Sequence, residues 1–250
     1  MNVLVTAGNT QVPIDQVRCL TNVFTGRTGA SLALHAWKRG HTVTLLTSHP
    51  ETVATPAASA GLPPERWTVL PYRTFAQLEE WLERLLRWGS FDVLVHSAAV
   101  SDYLVAGVYA PAPGSRFDPQ AGEWHGPPSG PPTLLDRQAA KIKSQEPELW
   151  LRLERAPKLI DRVRGDWGFK GVLVKFKLEV AVSDDELLAV AEPSRRQSSA
   201  DLMVANTLEG MTSWAYLGPI DGRYLRVARE ELPARLFDAV ECCGRGKGRG

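Results

Sequence analysis

The chain has 250 residues, 44% hydrophobic and 23% charged, an ordinary globular composition able to build a full core. Its 29 Lys and Arg against 28 Asp and Glu leave a net charge of +1, so no global field draws it to nucleic acid or anionic membrane. Cys19, Cys242 and Cys243 form no CxxC, and no apolar run nears the ~20 residues of a membrane span, which excludes disulfide-rich and membrane classes.

The first six residues carry no basic leader or long apolar stretch, so a cytoplasmic chain is expected. Val3–Thr6 reads as a buried strand, followed by the small-residue turn Thr6-Ala7-Gly8-Asn9-Thr10. Such a turn lets a ligand approach the backbone at a strand's carboxyl end. Arg18 to Gly29 reads as a loop of hydroxyls, glycines and arginines that suits an anion ahead of a helix over Gly26–Gly40. Thr42–Thr47 and Trp67–Leu70 read as strands. Leu78, Trp81, Leu82, Leu85 and Leu86 place a helix face within Phe75–Trp88, and Phe91–His96 returns to strand. This β-α-β-β-α-β order predicts a mostly parallel sheet covered by helices. Small residues recur after Phe91–His96, with Asp102 at the lip of the crevice they open.

Seven prolines and five glycines between Gly107 and Pro132 predict an irregular flap. Lys141-Ile142-Lys143 alternates as an edge strand would. Leu149–Leu153 (strand), Pro157–Arg164 (short helix) and Gly171–Phe176 (strand) follow. The capping box Ser183-Asp184-Asp185-Glu186 opens a helix to about Ala191. Asp201–Ala205 is a strand, Ser213–Tyr216 and Tyr224–Val227 a hairpin, and Glu230–Cys242 a final helix before a flexible basic tail over 244–250.

Six motifs stand in one order. They are Leu4-Val5-Thr6-Ala7-Gly8-x-Thr10 running on to Thr25-Gly26-Arg27-x-Gly29, Ala98-Ala99-Val100-x-Asp102-Tyr103, Lys141-Ile142-Lys143, Pro157-Lys158-Leu159-Ile160, Phe176-Lys177-Leu178-Glu179 and Val204-Ala205-Asn206. In this the chain resembles the phosphopantothenoylcysteine synthetases (phosphopantothenate–cysteine ligases) across about residues 2–240. The resemblance implies a Rossmann-like α/β fold with a mostly parallel sheet, a flap at about 104–140, a C-terminal β-hairpin and one ligase domain over 1–243. It implies a homodimer in coenzyme A biosynthesis that activates 4'-phosphopantothenate with CTP or ATP, releases pyrophosphate and joins the acyl-nucleotide to cysteine.

Carried over by residue, Asn22 would hold the acyl phosphate and Lys141 would stabilise phosphate charge. Gly8, Ala98, Ala99 and Asp102 would line the nucleotide pocket. Pro157, Lys158, Leu159 and Ile160 would wrap the nucleotide, and Phe176 would pack on its base or sugar. Arg18, Gly26, Arg27 and Asn206 would serve the substrate. Mg2+ would arrive with the nucleotide, held by phosphates and water. His35, His41, His49, His96 and His125 show no metal-ligand spacing, and no protein metal site is expected. A chain opening on the ligase strand at Met1 implies no decarboxylase domain and no FMN.

One departure stands out. Many bacterial relatives carry two lysines a helical turn apart before the Val-Ala-Asn strand, where this chain has Ser194 and Ser198. That keeps open a nucleotide-binding paralogue without ligase activity. A short-chain NAD(P)-dependent reductase is the weaker alternative. The chain lacks G-x-G-x-x-G, its second strand ends Thr47-Ser48-His49 without an acid for a ribose diol, and no tyrosine has a lysine four residues on.

Overall fold

The computed structural model describes residues 1–53 and 65–247. Its elements in chain order begin with β1 (Asn2–Ala7), β2 (Gln11–Pro13), β3 (Cys19–Thr21), α1 (Arg27–Lys38), β4 (Thr42–Thr47), β5 (Trp67–Pro71), α2 (Phe75–Trp88) and β6 (Val93–His96). There follow β7 (Tyr103–Pro111), β8 (Arg116–Asp118), β9 (Glu123–His125), β10 (Leu134–Asp136), β11 (Trp150–Arg155) and α3 (Leu159–Gly165). The chain closes with β12 (Val172–Glu179), α4 (Asp184–Gln197), β13 (Leu202–Thr207), β14 (Trp214–Ile220), β15 (Arg223–Ala228) and α5 (Leu232–Lys247).

The chain divides into two compact units. The larger comprises Met1–Thr10, Val23–Val100 and Lys158–Gly250; the smaller comprises Gln11–Asn22 and Ser101–Pro157.

The larger unit is the expected α/β fold. Its eight-stranded sheet runs β15-β14-β13-β12-β6-β1-β4-β5, with the six strands from β13 to β5 parallel and the β14–β15 hairpin antiparallel at one edge. One sheet face carries Val3, Val5, Val93, Val95, Val172, Val174, Leu202 and Val204, packed with Ala30, Leu32, Ala33, Ala36, Leu236 and Phe237 of α1 and α5. On the other face Leu187 and Ala191 of α4 cover Met203 and Ala205. Thr74 and Gln77 close a capping box on α2, as Ser183 and Glu186 do on α4. The latter helix runs past Ala191 and through Pro193 to Gln197. The final helix likewise continues to Lys247 through the start of the expected tail; residues 248–250 lie outside the described residues.

The smaller unit replaces much of the expected irregular flap with ordered strands. β7 is nine residues long and pairs antiparallel with β10 and β11. β8 and β9 form a short hairpin, and β2 pairs with β3. Phe117, Trp124 and Trp150 pack ring to ring at 4.8–5.5 Å, and Val12, Val108, Ala110 and Ile142 are buried. Those contacts bury enough apolar surface to hold a Pro- and Gly-rich segment in register. Lys141–Lys143 is not a strand. The Ile142 N–H donates to Asp15 Oδ2 at 3.1 Å and its carbonyl accepts from Arg18 Nη2 at 2.9 Å, so side chains take the backbone groups that a ladder would use.

Candidate functional site

In the larger unit the strand order reverses between β1 and β6. The connections run from β1 outward to β4 and β5, then return to β6 and on to β12 and β13. The crevice beyond the carboxyl ends at such a point is where open parallel sheets bind ligands. Gly8 follows β1 with φ +90°, and the carbonyl of Gly8 accepts the Ala99 N–H at 2.8 Å. Gly26 precedes α1 with φ +79°, and a Cβ added there would lie 2.2 Å from the Gly8 nitrogen. The two turns therefore meet backbone to backbone, which only glycine permits. Ala98 and Ala99, half-buried, continue this small-residue lip after β6.

Arg27 begins α1 beside a cavity of about 560 Å³, which Thr28, Ser31, Thr212, Ser213 and Arg229 also line. The first turn of α1 has no acidic residue, so the helix presents its positive end to this space. Arg229 is half-buried and donates to the Thr28 hydroxyl; burial lowers its pKa below the ordinary arginine value. Two guanidinium groups and a helix N-terminus make this cavity suited to an anion with several charged oxygens.

The opposite face holds a second polar group. Lys175 on β12 is 7% exposed. Its Nζ donates to the Ser194 carbonyl at 2.8 Å and to Ser198 Oγ at 2.5 Å; Ser198 Oγ donates in turn to Asp161 Oδ1 at 2.5 Å. Ser194, through its carbonyl, and Ser198, through its hydroxyl, thus both receive an amine from the sheet. Burial pulls the Lys175 pKa down to about 8, with Lys158 and Lys177 adding to the fall and Asp161 opposing it. In the register His96 pairs with Lys175 and with Thr6. Its Nδ1 lies 3.0 Å from Thr6 Oγ1, and burial, then the Lys175 charge, pulls its pKa down to about 4.

The other expected residues of this unit divide. Lys158 is exposed just before α3, whereas Leu159 and Ile160 are buried core residues, so only their backbone is offered to a ligand. Phe176 is half-buried and packs on the main core. Asn206 is buried near the end of β13. Arg229, Lys175 and His96 were missed by sequence reasoning. A lysine directly after the apolar run Val172–Val174 and before Phe176 is the signal that could have found one of them.

In the smaller unit Arg18 is committed to structure. Its Nε and Nη2 donate to Asp15 Oδ2 at 3.1 and 2.6 Å. The Arg18 guanidinium first, then the Val17, Ile142 and Arg18 amides, hold the Asp15 carboxyl well below the usual range. This cluster ties the β2–β3 hairpin to the loop carrying Lys141, which is exposed. Asn22, half-buried, directly follows β3. Asp102 is exposed, and its carbonyl accepts the Ala156 N–H at 2.8 Å, next to the exposed Pro157.

Residues 1–110 match the family described as the DNA/pantothenate metabolism flavoprotein C-terminal domain. Over 245 residues, 96% of its length, the chain is 32% identical to the coenzyme A biosynthesis bifunctional protein CoaBC of Thermococcus kodakarensis. It is 26% identical over 82% of its length to the protein of the same description from Methanocaldococcus jannaschii. It spans 50% of the first relative and 40% of the second. A DNA/pantothenate metabolism flavoprotein structure from Streptococcus pneumoniae superposes with TM-score 0.73 at 24% identity, covering 97% of this chain and 99% of that one. A variant of Cab2 in complex with phosphopantothenate-cysteine gives 0.66 at 19%, covering 98% and 86%. These likenesses show the mixed, mostly parallel fold that the sequence predicts. Among the described residues no helix is long and apolar enough to cross a membrane.

The hairpin aromatics Trp214, Tyr216 and Tyr224 pack against the Leu187–Ala191 cluster. The Tyr216 and Tyr224 hydroxyls donate to Asp184 and Glu192 on α4, each at 2.8 Å.

Proposed function

We propose that the chain is a phosphopantothenate–cysteine ligase that uses CTP or ATP. The observation that carries this reading is the close backbone approach of Gly8, Gly26 and Ala99 at the sheet's switch point, together with the arginine-lined cavity at the start of α1. A nucleoside triphosphate needs close backbone approach and positive groups for its phosphates, and the larger unit supplies both.

In the first step a carboxylate oxygen of 4'-phosphopantothenate attacks the α-phosphorus of the nucleotide, and the bond to the β-phosphate oxygen breaks. Pyrophosphate leaves. In the second step the amine of cysteine attacks the acyl carbon and the acyl–oxygen bond breaks. The products are the amide, the nucleoside monophosphate and a proton. Neither step needs a nucleophilic side chain; both need charge stabilisation and positioning. Arg27 and Arg229 take the polyphosphate. Gly8, Ala98 and Ala99 line the nucleotide, as do the backbone of Leu159 and Ile160 and the side chains of Lys158 and Phe176. Asn22 holds the acyl phosphate and Lys141 offsets charge during activation. Arg18 holds the Lys141 loop through Asp15. Asn206, Asp102 and Pro157 keep the binding roles that the resemblance implies. Among the described residues no three His, Cys, Asp or Glu side chains group as a metal site. Mg2+ would enter with the nucleotide, held by phosphate oxygens and water.

The test is pyrophosphate release with CTP and with ATP, each with and without phosphopantothenate and cysteine. Release should require phosphopantothenate, and the amide should form only when cysteine is added. No release with either nucleotide would sink the reading. The serines at 194 and 198 favour one other outcome, a nucleotide-binding relative without turnover. It would bind CTP or ATP in calorimetry and release nothing. Homodimer formation is part of the proposal and is measured by light scattering.

A further inference from the structure

We infer that Lys175 is a positioning residue for the nucleotide, acting through Ser198 and Asp161 on the segment that opens α3. This rests on the nucleotide-binding role proposed for Lys158–Ile160.

The contacts run one way. The Lys175 ammonium donates to the Ser194 carbonyl and to Ser198 Oγ, which in turn donates a hydrogen bond to Asp161 Oδ1. Gln197 Nε2 donates to the second oxygen of the same carboxylate at 2.8 Å. Asp161 lies in the first turn of α3, three residues after Lys158. The carboxylate is thus gripped from α4 through both oxygens, and the lysine orients the serine that makes one of those bonds. With only one proton on Ser198 and an amine on its acceptor side, that proton is left for Asp161 Oδ1 at 2.5 Å, the Ser194 carbonyl at 3.3 Å being the longer alternative.

Apolar packing does not explain the lysine. Its neighbours on this sheet face include Leu173 and Met203, both fully buried and apolar. A methionine would fill the position without burying a charge. The ammonium is held at a cost in solvation, which agrees with its lowered pKa. What it adds is directional. It fixes the end of α4 against the start of α3 and sets a cation beside Lys158.

The full-length chain is tested with Lys175→Met and Ser198→Ala. Nucleotide dependence of pyrophosphate release is measured at saturating phosphopantothenate and cysteine, with equilibrium binding of CTP and ATP by calorimetry. Lys175→Met should raise the nucleotide KM and Kd about tenfold while kcat and the other two KM values stay within about twofold. Ser198→Ala should move the same constants by roughly threefold. The Tm of Lys175→Met should equal or exceed that of the parent, which a purely structural role would not give. Nucleotide constants unchanged in both variants would overturn the inference, as would a fall in Tm with all three KM values rising together. If Lys175→Met does not fold, an unchanged nucleotide Kd in Ser198→Ala is enough to overturn it. A parent chain that binds nucleotide but releases no pyrophosphate refutes the ligase reading alone, and the Kd comparison still decides the role of Lys175.

Discussion

His96 lies at the end of β6 with 7% of its surface exposed, and its pKa falls from 6.5 to about 4. In the unfolded chain the imidazole takes a proton near 6.5, whereas in the folded chain it does so only near 4. Between those values the unfolded state binds more protons, so stability falls as the pH falls through that window. Each pH unit of that window is worth about 1.4 kcal/mol, which makes the whole effect about 3 kcal/mol and the part lost between pH 7 and pH 5 about 2 kcal/mol. Burial also lowers His35 and His41, so these add with the same sign. The assay therefore compares the parent with His96→Gln, which keeps a polar partner for Thr6 and does not titrate. Urea unfolding followed by tryptophan fluorescence at pH 7, 6 and 5 should show the parent losing about 2 kcal/mol more than the variant. Equal losses would refute this reasoning, and so would an NMR titration of the His96 ring near 6.5. Lys175→Met removes the charge that adds to burial in lowering His96, so it should raise the His96 pKa and shrink the window.

Three further outcomes test the proposed site. Gly26→Ala puts a methyl 2.2 Å from the Gly8 nitrogen at a φ of +79°, so thermal unfolding should report a loss of roughly 3 kcal/mol; an unchanged Tm would show that the turn does not hold its place by this contact. Lys141→Ala alters an exposed side chain outside any strand, so stability should stay within about 0.5 kcal/mol while pyrophosphate release falls roughly a hundredfold or more; near-normal turnover removes Lys141 from the chemistry. Arg229→Gln should weaken CTP and ATP binding about tenfold in calorimetry; unchanged affinity would take the nucleotide phosphates out of that cavity.

The parts of this fold that could be read from the sequence are those whose cause is local. β1, β4 and β5 are short apolar or β-branched runs beside turn residues, and α1 and α2 bury one periodic face, so pattern alone finds them. The smaller unit hides for the opposite reason. β7 includes Ala106 and Gly107, and its partner strands begin at Leu134 and Trp150, so nothing within a local window marks it as paired. A count of prolines and glycines registers the turns there and not the ladders between them. Lys141–Lys143 fails in the converse way. Its alternation is real, but its backbone partners, Asp15 and Arg18, lie far away in the chain. The site follows the same rule. Gly8, Gly26 and the alanines after β6 announce themselves because a small residue at a strand or helix end is a local signal. Arg229 faces the start of α1 from 201 residues away, and only the folded chain joins them.

The registers across β1, β6 and β12 show where packing gives way to function. At the amino ends Val3 pairs with Val93, and Val93 with Val172; the next rows join Leu4, Leu94 and Leu173, then Val5, Val95 and Val174. The fourth row is Thr6, His96 and Lys175. Three apolar rows are followed by a polar one, still buried, in the same three strands. Nothing in the packing of a parallel sheet asks for that change, and burial lowers the pKa of each of its two titratable members. Selection for stability alone would have continued the valines and leucines to the carboxyl edge. The polar row sits toward the carboxyl ends of the strands, the end at which open parallel sheets bind ligands, and local rules of stability are broken where a site requires it.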